Sequence, residues 1–301
     1  MRIGYPCINR SIGCTANHTF RLASYSEERL IATVNANLSC LEEILAWNFD
    51  HGLLAFRIGS GLVPFASHRV CTAPWRDVFA GTFAAIGSFA RRHDLRISMH
   101  PDQFNLLNAK DPAIVERTVA ELTYHAEALD LFGLDATAKV QVHVGGVYAD
   151  REDSMSRFVE TYRTLDPRIR HRLVIENDDG RYTAADCLAV SDECGVPVVL
   201  DVFHHAVFGD GRPLGPVLDE VASTWTPPDG LPMVDYSSQA PGRRRGVHAA
   251  ALDDADFGRF LLESAGRDVD LMLEIKDKEA SALRAVALAL AARDPRLRRV
   301  P

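Results

Sequence analysis

Arg96–Pro101 reads RISMHP, Asp111–Phe132 reads DPAIVERTVAELTYHAEALDLF, and Lys139–Val144 reads KVQVHV. The outer pieces are short and aliphatic, as parallel strands buried on both faces should be. The middle piece sets Ile114, Val115, Leu122, Ala126 and Leu129 along one helical face. Strand, amphipathic helix and strand in roughly fifty residues make a βαβ unit. Each strand carries a histidine near its end, His100 and His143.

The same pattern recurs on both sides of this unit. Six further strands are predicted: Arg2–Pro6 (RIGYP), Leu54–Gly59 (LAFRIG), Leu173–Asn177 (LVIEN), Pro197–Val202 (PVVLDV), Pro232–Ser237 (PMVDYS) and Leu271–Lys276 (LMLEIK). Ser26–Trp47 places Leu30, Val34, Leu38, Leu41 and Leu45 at steps of three and four, and Ala282–Ala292 is an Ala/Leu-rich closing helix. Thr226–Pro232 reads as a surface loop. Eight strands alternating with helices over 301 residues is the arithmetic of a (β/α)8 TIM barrel, a single domain over residues 1–301. A doubly wound sheet is the competitor. It carries a glycine-rich phosphate loop after an early strand, and neither GxGxxG nor GxxxxGK[ST] occurs here.

With 47% hydrophobic residues the chain can fill a large core. Its 33 Lys+Arg against 41 Asp+Glu give a formal charge of −8, which excludes a basic DNA coat spread over the whole surface. Nucleic acid would have to be met by a local patch or by bound cations. The N-terminus lacks an apolar signal segment and no run of 18 apolar residues exists, so neither export nor a membrane span is expected. The cysteines Cys7, Cys14, Cys40, Cys71, Cys187 and Cys194 form no CxxC pair. They are expected as reduced thiols in a cytoplasmic protein without a structural zinc site. No spare apolar helix stands out, so a monomer is expected.

The ionisable residues collect at strand tails. His100, His143, Glu176, Asp201 with His204 three residues on, Asp235 with His248 on the following loop, and Glu274 occupy six successive strands. In a barrel these tails converge on the C-terminal mouth. One strand-end histidine is ordinarily a hydrogen-bonded core residue; recurrence on six strands is not a packing accident. Unpartnered, such groups would pay heavily in desolvation and repulsion. Divalent cations resolve this, and imidazole with carboxylate suits Mn²⁺ or Zn²⁺. Two or three ions would use all the donors, with Glu176 as the natural bridge. His18, His51, His93, His125 and His171 are read as non-catalytic. Paired ions can hold attacking and leaving oxygens in line at a phosphodiester, or shift a hydride in a sugar isomerase or epimerase.

The motifs RIGYPCIN, HPDQF, VHVGG, LVIEND, VLDVFHH, DYSS and LEIKDKE occur in this order over nearly the whole chain. In these the sequence resembles the UV damage endonucleases, a family related in fold to endonuclease IV. The resemblance implies a TIM barrel with a divalent metal cluster, usually Mn²⁺, with Zn²⁺ or Mg²⁺ as alternatives. It implies a cut in double-stranded DNA immediately 5′ to cyclobutane pyrimidine dimers and (6-4) photoproducts, and at abasic sites. Carried over, His100, His143 and Glu176 would hold one ion, Glu176, Asp201, Asp235 and Glu274 a second, and His204 and His248 a third. Glu176, Glu274 and Asp201 would be the catalytic carboxylates, with His68 at the site edge. Many family members have a carboxylated lysine where this chain has Met233, and a histidine where it has Asp235. No modified lysine is expected here. Gln103 and Phe104 would enter the duplex opposite the lesion, and Tyr5 and Asn9 would approach from the other side. Arg243, Arg244 and Arg245 form the best basic cluster for phosphates. A sugar isomerase or epimerase on the same barrel is the alternative, and a non-catalytic damage-binding protein is a third class.

Overall fold

The computed structural model describes residues 1–300. Eight parallel strands close in sequence order: β1 Ile3–Pro6, β2 Ala55–Gly59, β3 Arg96–His100, β4 Lys139–His143, β5 Leu173–Glu176, β6 Val198–Asp201, β7 Met233–Tyr236 and β8 Asp270–Leu273. The helices are α1 Glu27–Asp50, α2 Trp75–Arg92, α3 Pro112–Leu131, α4 Arg151–Thr164, α5 Pro167–Arg170, α6 Ala184–Cys194, α7 Val202–Phe208, α8 Leu214–Ser223, α9 Asp254–Glu263 and α10 Glu279–Ala291. The (β/α)8 barrel expected from the periodicity is the observed fold. All eight strands lie where predicted, seven of them shortened at one or both ends; β8 begins one residue earlier, at Asp270, and ends at Leu273, so Glu274 falls just past it. None of the helices is long and apolar enough to cross a membrane.

Local chemistry explains the helix starts. The Ser26 hydroxyl accepts from the Arg29 amide at the head of α1, and Asp111 caps α3 ahead of Pro112. The buried stripe of α1, Leu30, Val34, Leu38, Leu41 and Leu45, packs into the main core. At β1, a Cβ on Gly4 would sit 1.8 Å from the Ala55 carbonyl oxygen, so only glycine lets these two strands approach.

Side chains alternate along each strand, so residues two apart share a face. Lys139, Gln141 and His143 therefore point to the barrel interior from β4, as Arg96, Ser98 and His100 do from β3. Inside, Val174, Val199 and Met233 pack with Trp225 as a small separate core. Arg96 and Lys139 lie 5.8 and 5.9 Å from the Trp225 ring. Lys139 also donates to Asp229, so the loop before β7 plugs the lower end of the barrel.

One expectation is corrected. Cys14 and Cys40 form a disulfide, with Cα atoms 5.9 Å apart, whereas Cys7, Cys71, Cys187 and Cys194 are free. The segment after β1 lies against α1. His18 N donates to Asn37 Oδ1 at 2.7 Å, and Asn37 Nδ2 returns to His18 O at 3.0 Å. That docking is tertiary, and no local cysteine spacing encodes it.

Candidate metal centre and nucleic-acid interface

Register sets the site level. His143 pairs with Glu176 across β4 and β5, and Asp201 pairs with Asp235 across β6 and β7. Glu176 is buried, and its two carboxylate oxygens face different partners. Oε2 lies 3.4 Å from His100 Nε2 and 3.8 Å from His143 Nδ1. Oε1 lies 3.4 Å from His204 Nδ1. Two groups with donor atoms mutually within 4.8 Å result, His100–His143–Glu176 and Glu176–Asp201–His204, sharing Glu176.

The backbone aims these groups. Asp201 ends β6 and caps α7: its Oδ1 accepts from the His204 amide at 2.7 Å, and its Oδ2, 3.4 Å from His204 Nδ1, accepts no hydrogen bond. The Asp-x-x-His spacing is thus a helix cap that leaves one carboxylate oxygen free. Asn177 continues the β5–β6 ladder with its side chain, donating to Asp201 O and accepting from Asp201 N at 3.0 and 2.9 Å. Its own carbonyl faces His204 Nδ1 at 3.0 Å, which directs the proton to Nδ1 and leaves Nε2 a lone pair. His248 repeats the device, with Nδ1 2.9 Å from Glu274 O. Below His143, Gly145 has φ +119°, and a Cβ there would meet Asn108 Oδ1 at 2.3 Å. Asn108 in turn bonds both the amide and the carbonyl of Gly146, which fixes the loop after β4.

The donor set fits a divalent ion. His100 Nδ1, His143 Nδ1 and Asp201 Oδ2 are buried without hydrogen-bond partners. Each orphan of this kind costs about 1–3 kcal/mol. Neither group includes a thiolate, so the nitrogen and oxygen donors suit Mn²⁺ or Zn²⁺. The electrostatics agree. Burial opposes ionisation of Glu176, but His143, His100 and His204 overrule it and hold the carboxyl well below its usual range. Burial, together with Glu176, Glu274 and Asp235, pushes Asp201 well above its usual range against the pull of His204. His204 resists burial because Asp201 and Glu176 raise it to about 11. Burial lowers His143 despite Glu176. Without a metal the cluster retains a proton, which a divalent ion would displace.

Asp235 and Glu274 stand apart from this pair of groups. The sequence reading overlooked Arg57 and Gln141, which lie at the same level. Arg57 Nη2 donates to Asp235 Oδ1 and Oδ2 at 2.7 and 2.8 Å, and Nη1 donates to Glu274. Gln141 Nε2 donates to Glu176 Oε2 at 2.5 Å and Asp235 Oδ2 at 2.6 Å. Burial raises Asp235 to about 6 even though Arg57 draws it down. Arg57 outweighs burial at Glu274 and lowers it. A signal was available. Lys139, Gln141 and His143 alternate with Val140, Val142 and Val144, and Arg57 interrupts an apolar strand.

The remaining expected site residues divide sharply. Phe104 is 75% exposed on the loop after β3, and Gln103 beside it is exposed. Gln103 lines two adjoining clefts of about 520 and 570 Å³ that share His143, His248 and Glu274. Lys276 and Lys278 line the first and Arg181 the second, and none of these three was singled out in the sequence. Arg243, Arg244 and Arg245 are exposed and make no salt bridge among the described residues. Gln239 braces their loop, donating to Arg244 O at 2.9 Å and accepting from Gly246 N at 2.9 Å. The His248 ring stands 5.8 Å from that of His204, outside both donor groups. His68 is exposed on the loop after β2, takes a bond from Val70 N and joins neither group.

Tyr5 and Asn9 are corrections. Both are buried, at 0% and 1% exposure. Tyr5 Oη donates to Asn48 Oδ1 at 2.6 Å and accepts from Asn9 Nδ2 at 2.8 Å. They tie the first loop to α1 and present no surface to a duplex.

The chain is similar to known proteins over nearly its whole length. The family model "UV-endonuclease UvdE" matches residues 1–295. A UV DNA damage endonuclease of Clostridium perfringens is 31% identical over 288 residues, covering 95% of this chain and 70% of that protein. The crystal structure of SacUVDE superposes with a TM-score of 0.94 at 42% identity, covering 98% of this chain and 99% of the other. Endonuclease IV from Thermus thermophilus shares the fold alone, with a TM-score of 0.56 at 20% identity over 84% of this chain and 94% of its own. A barrel whose mouth gathers histidines around one shared glutamate thus matches this family along nearly its full length, and the chain belongs to the UV-endonuclease UvdE family.

Proposed function

We propose that this chain is a DNA-repair endonuclease that hydrolyses the phosphodiester immediately 5′ to UV photolesions, cyclobutane dimers and (6-4) photoproducts, and also accepts abasic sites. The observation that carries the reading is Glu176, whose two oxygens face two separate donor groups below the exposed Phe104. The residues that would hold divalent ions, most simply Mn²⁺, are His100, His143, Glu176, Asp201 and His204. Such ions supply Lewis-acid polarisation of the phosphodiester and ionisation of water near neutral pH.

The chain's own residues do the rest. Phe104 offers a stacking face to a step that a photodimer has already weakened, and Gln103 offers an amide beside it. Arg243–Arg245, with Lys276 and Lys278, meet backbone phosphates around the mouth. Glu274 lines both clefts and, with the buried Asp201 behind it, would supply the acceptors that orient the attacking water. The charge of −8 no longer weighs against DNA, because Glu176 and Asp201 would lie under cations. A sugar epimerase on this barrel would enclose a small substrate, whereas here an aromatic side chain stands in solvent at the rim.

The test is nicking of irradiated against unirradiated supercoiled plasmid by protein stripped with EDTA and then given Mn²⁺. Nicking confined to irradiated DNA and restored by Mn²⁺ supports the reading. Equal nicking of both plasmids, or full nicking in EDTA, removes it.

A further inference from the structure

Arg57 is a buried cation at the level of the donor groups, with 2% exposure, yet metal binding makes no use of it. Four acceptor atoms on three residues surround its guanidinium: both oxygens of Asp235, Glu274 Oε1, and Gln141 Oε1 at 2.8 Å. Gln141 passes the contact on to Asp235 Oδ2 and Glu176 Oε2. Asp235 therefore accepts at both oxygens, and Oδ2 accepts twice. Asp201, its register partner, keeps a bare Oδ2, and His100 and His143 keep bare ring nitrogens. Polar atoms buried without a hydrogen bond mark a waiting ligand; Asp235 instead commits three of its acceptor positions to Arg57 and Gln141.

We propose that Arg57 is a fixed internal counter-cation that withdraws Asp235 from the ligand set and sets the metal complement of this chain at two ions, both centred on Glu176. Arg57 and Asp235 are positioning residues. Through Gln141 they orient Glu176 Oε2, and Arg57 holds Glu274 at the rim. A guanidinium never loses its charge in a protein, so this cation is independent of metal supply. The charges are consistent with the count. Glu176, Asp201, Asp235 and Glu274 would be met by Arg57 and two divalent ions with one positive charge to spare, which favours an approaching phosphate. A third divalent ion beside Arg57 would meet a guanidinium at close range and find the Asp235 oxygens occupied. The inference rests on the metal-dependent reading above.

The test counts Mn²⁺ per chain by elemental mass spectrometry on metal-loaded, desalted protein, with calorimetric titration for affinity. Wild type should hold two ions. Asp235→Asn, which keeps the shape of the side chain, should also hold two, with affinity within about twofold. Arg57→Gln, which frees Asp235 and Glu274, should take up a third. Three ions in wild type, loss of an ion in Asp235→Asn, or no gain in a folded Arg57→Gln protein would overturn the inference. The wild-type and Asp235→Asn counts decide the matter if Arg57→Gln does not fold. A wild type with no tightly held ion would remove the metal reading itself, and this inference with it.

Discussion

Replacing Phe104 with alanine separates lesion recognition from folding. The side chain is 75% exposed, so little apolar area is lost from the core and the melting temperature should hardly move. In a damaged duplex the same ring would stack on bases, a contact worth about 1–3 kcal/mol. At about 1.4 kcal/mol per decade, the loss is roughly 5- to 150-fold in affinity for the dimer-containing duplex. The assay is fluorescence anisotropy with a defined dimer in one duplex and none in its twin. Wild type should prefer the dimer, and Phe104→Ala should lose most of that preference while binding undamaged DNA as before. An unchanged preference, or an equal loss on both duplexes, would refute the wedge and reduce Phe104 to a general contact.

Three further outcomes follow from buried and exposed groups. Burial lowers the His125 imidazole from 6.5 to about 4, so its stabilising contribution is complete above pH 6.5 and is lost as pH falls towards 4. Wild type should lose up to about 3 kcal/mol more than His125→Gln between pH 7 and 4 in urea unfolding, and parallel pH profiles would contradict this. Tyr5→Phe removes the hydroxyl that bonds Asn48 and Asn9, and should cost about 1–3 kcal/mol of stability without altering DNA affinity. Weaker DNA binding at full stability would return Tyr5 to the interface. Neutralising Arg243, Arg244 and Arg245 should flatten the salt dependence of DNA binding by about 0.9 in log–log slope for each arginine that meets a phosphate, and an unchanged slope would make them bystanders.

Much of the fold and part of the site were legible because they repeat. Eight short aliphatic strands, with ionisable residues at the ends of six, betray a barrel mouth without any knowledge of contacts. The grouping of His100, His143, Glu176, Asp201 and His204 follows from strand order and register. What escaped depends on contacts between distant residues. Arg57 reads as one charge inside LAFRIG; only the closed barrel sets it against Asp235 and Glu274, 178 and 217 residues away. Asp235 reads as a lone carboxylate in the sequence; the structure sets Arg57 and Gln141 against it. Tyr5 and Asn9 look accessible at a loop until α1 covers them. Cys14 meets Cys40 because the first loop lies down on α1, a contact that spacing along the chain does not foretell.

The most direct measurement maps the incision on an end-labelled oligonucleotide duplex carrying one cyclobutane dimer, with wild type and Glu176→Gln, in Mn²⁺ and in EDTA. The account predicts one wild-type cut at the phosphodiester immediately 5′ to the dimer in Mn²⁺, no cut in EDTA, and a fall of at least about a hundredfold for Glu176→Gln, since both donor groups share that carboxylate. A cut elsewhere, incision that persists in EDTA, or near-normal activity of Glu176→Gln would contradict it.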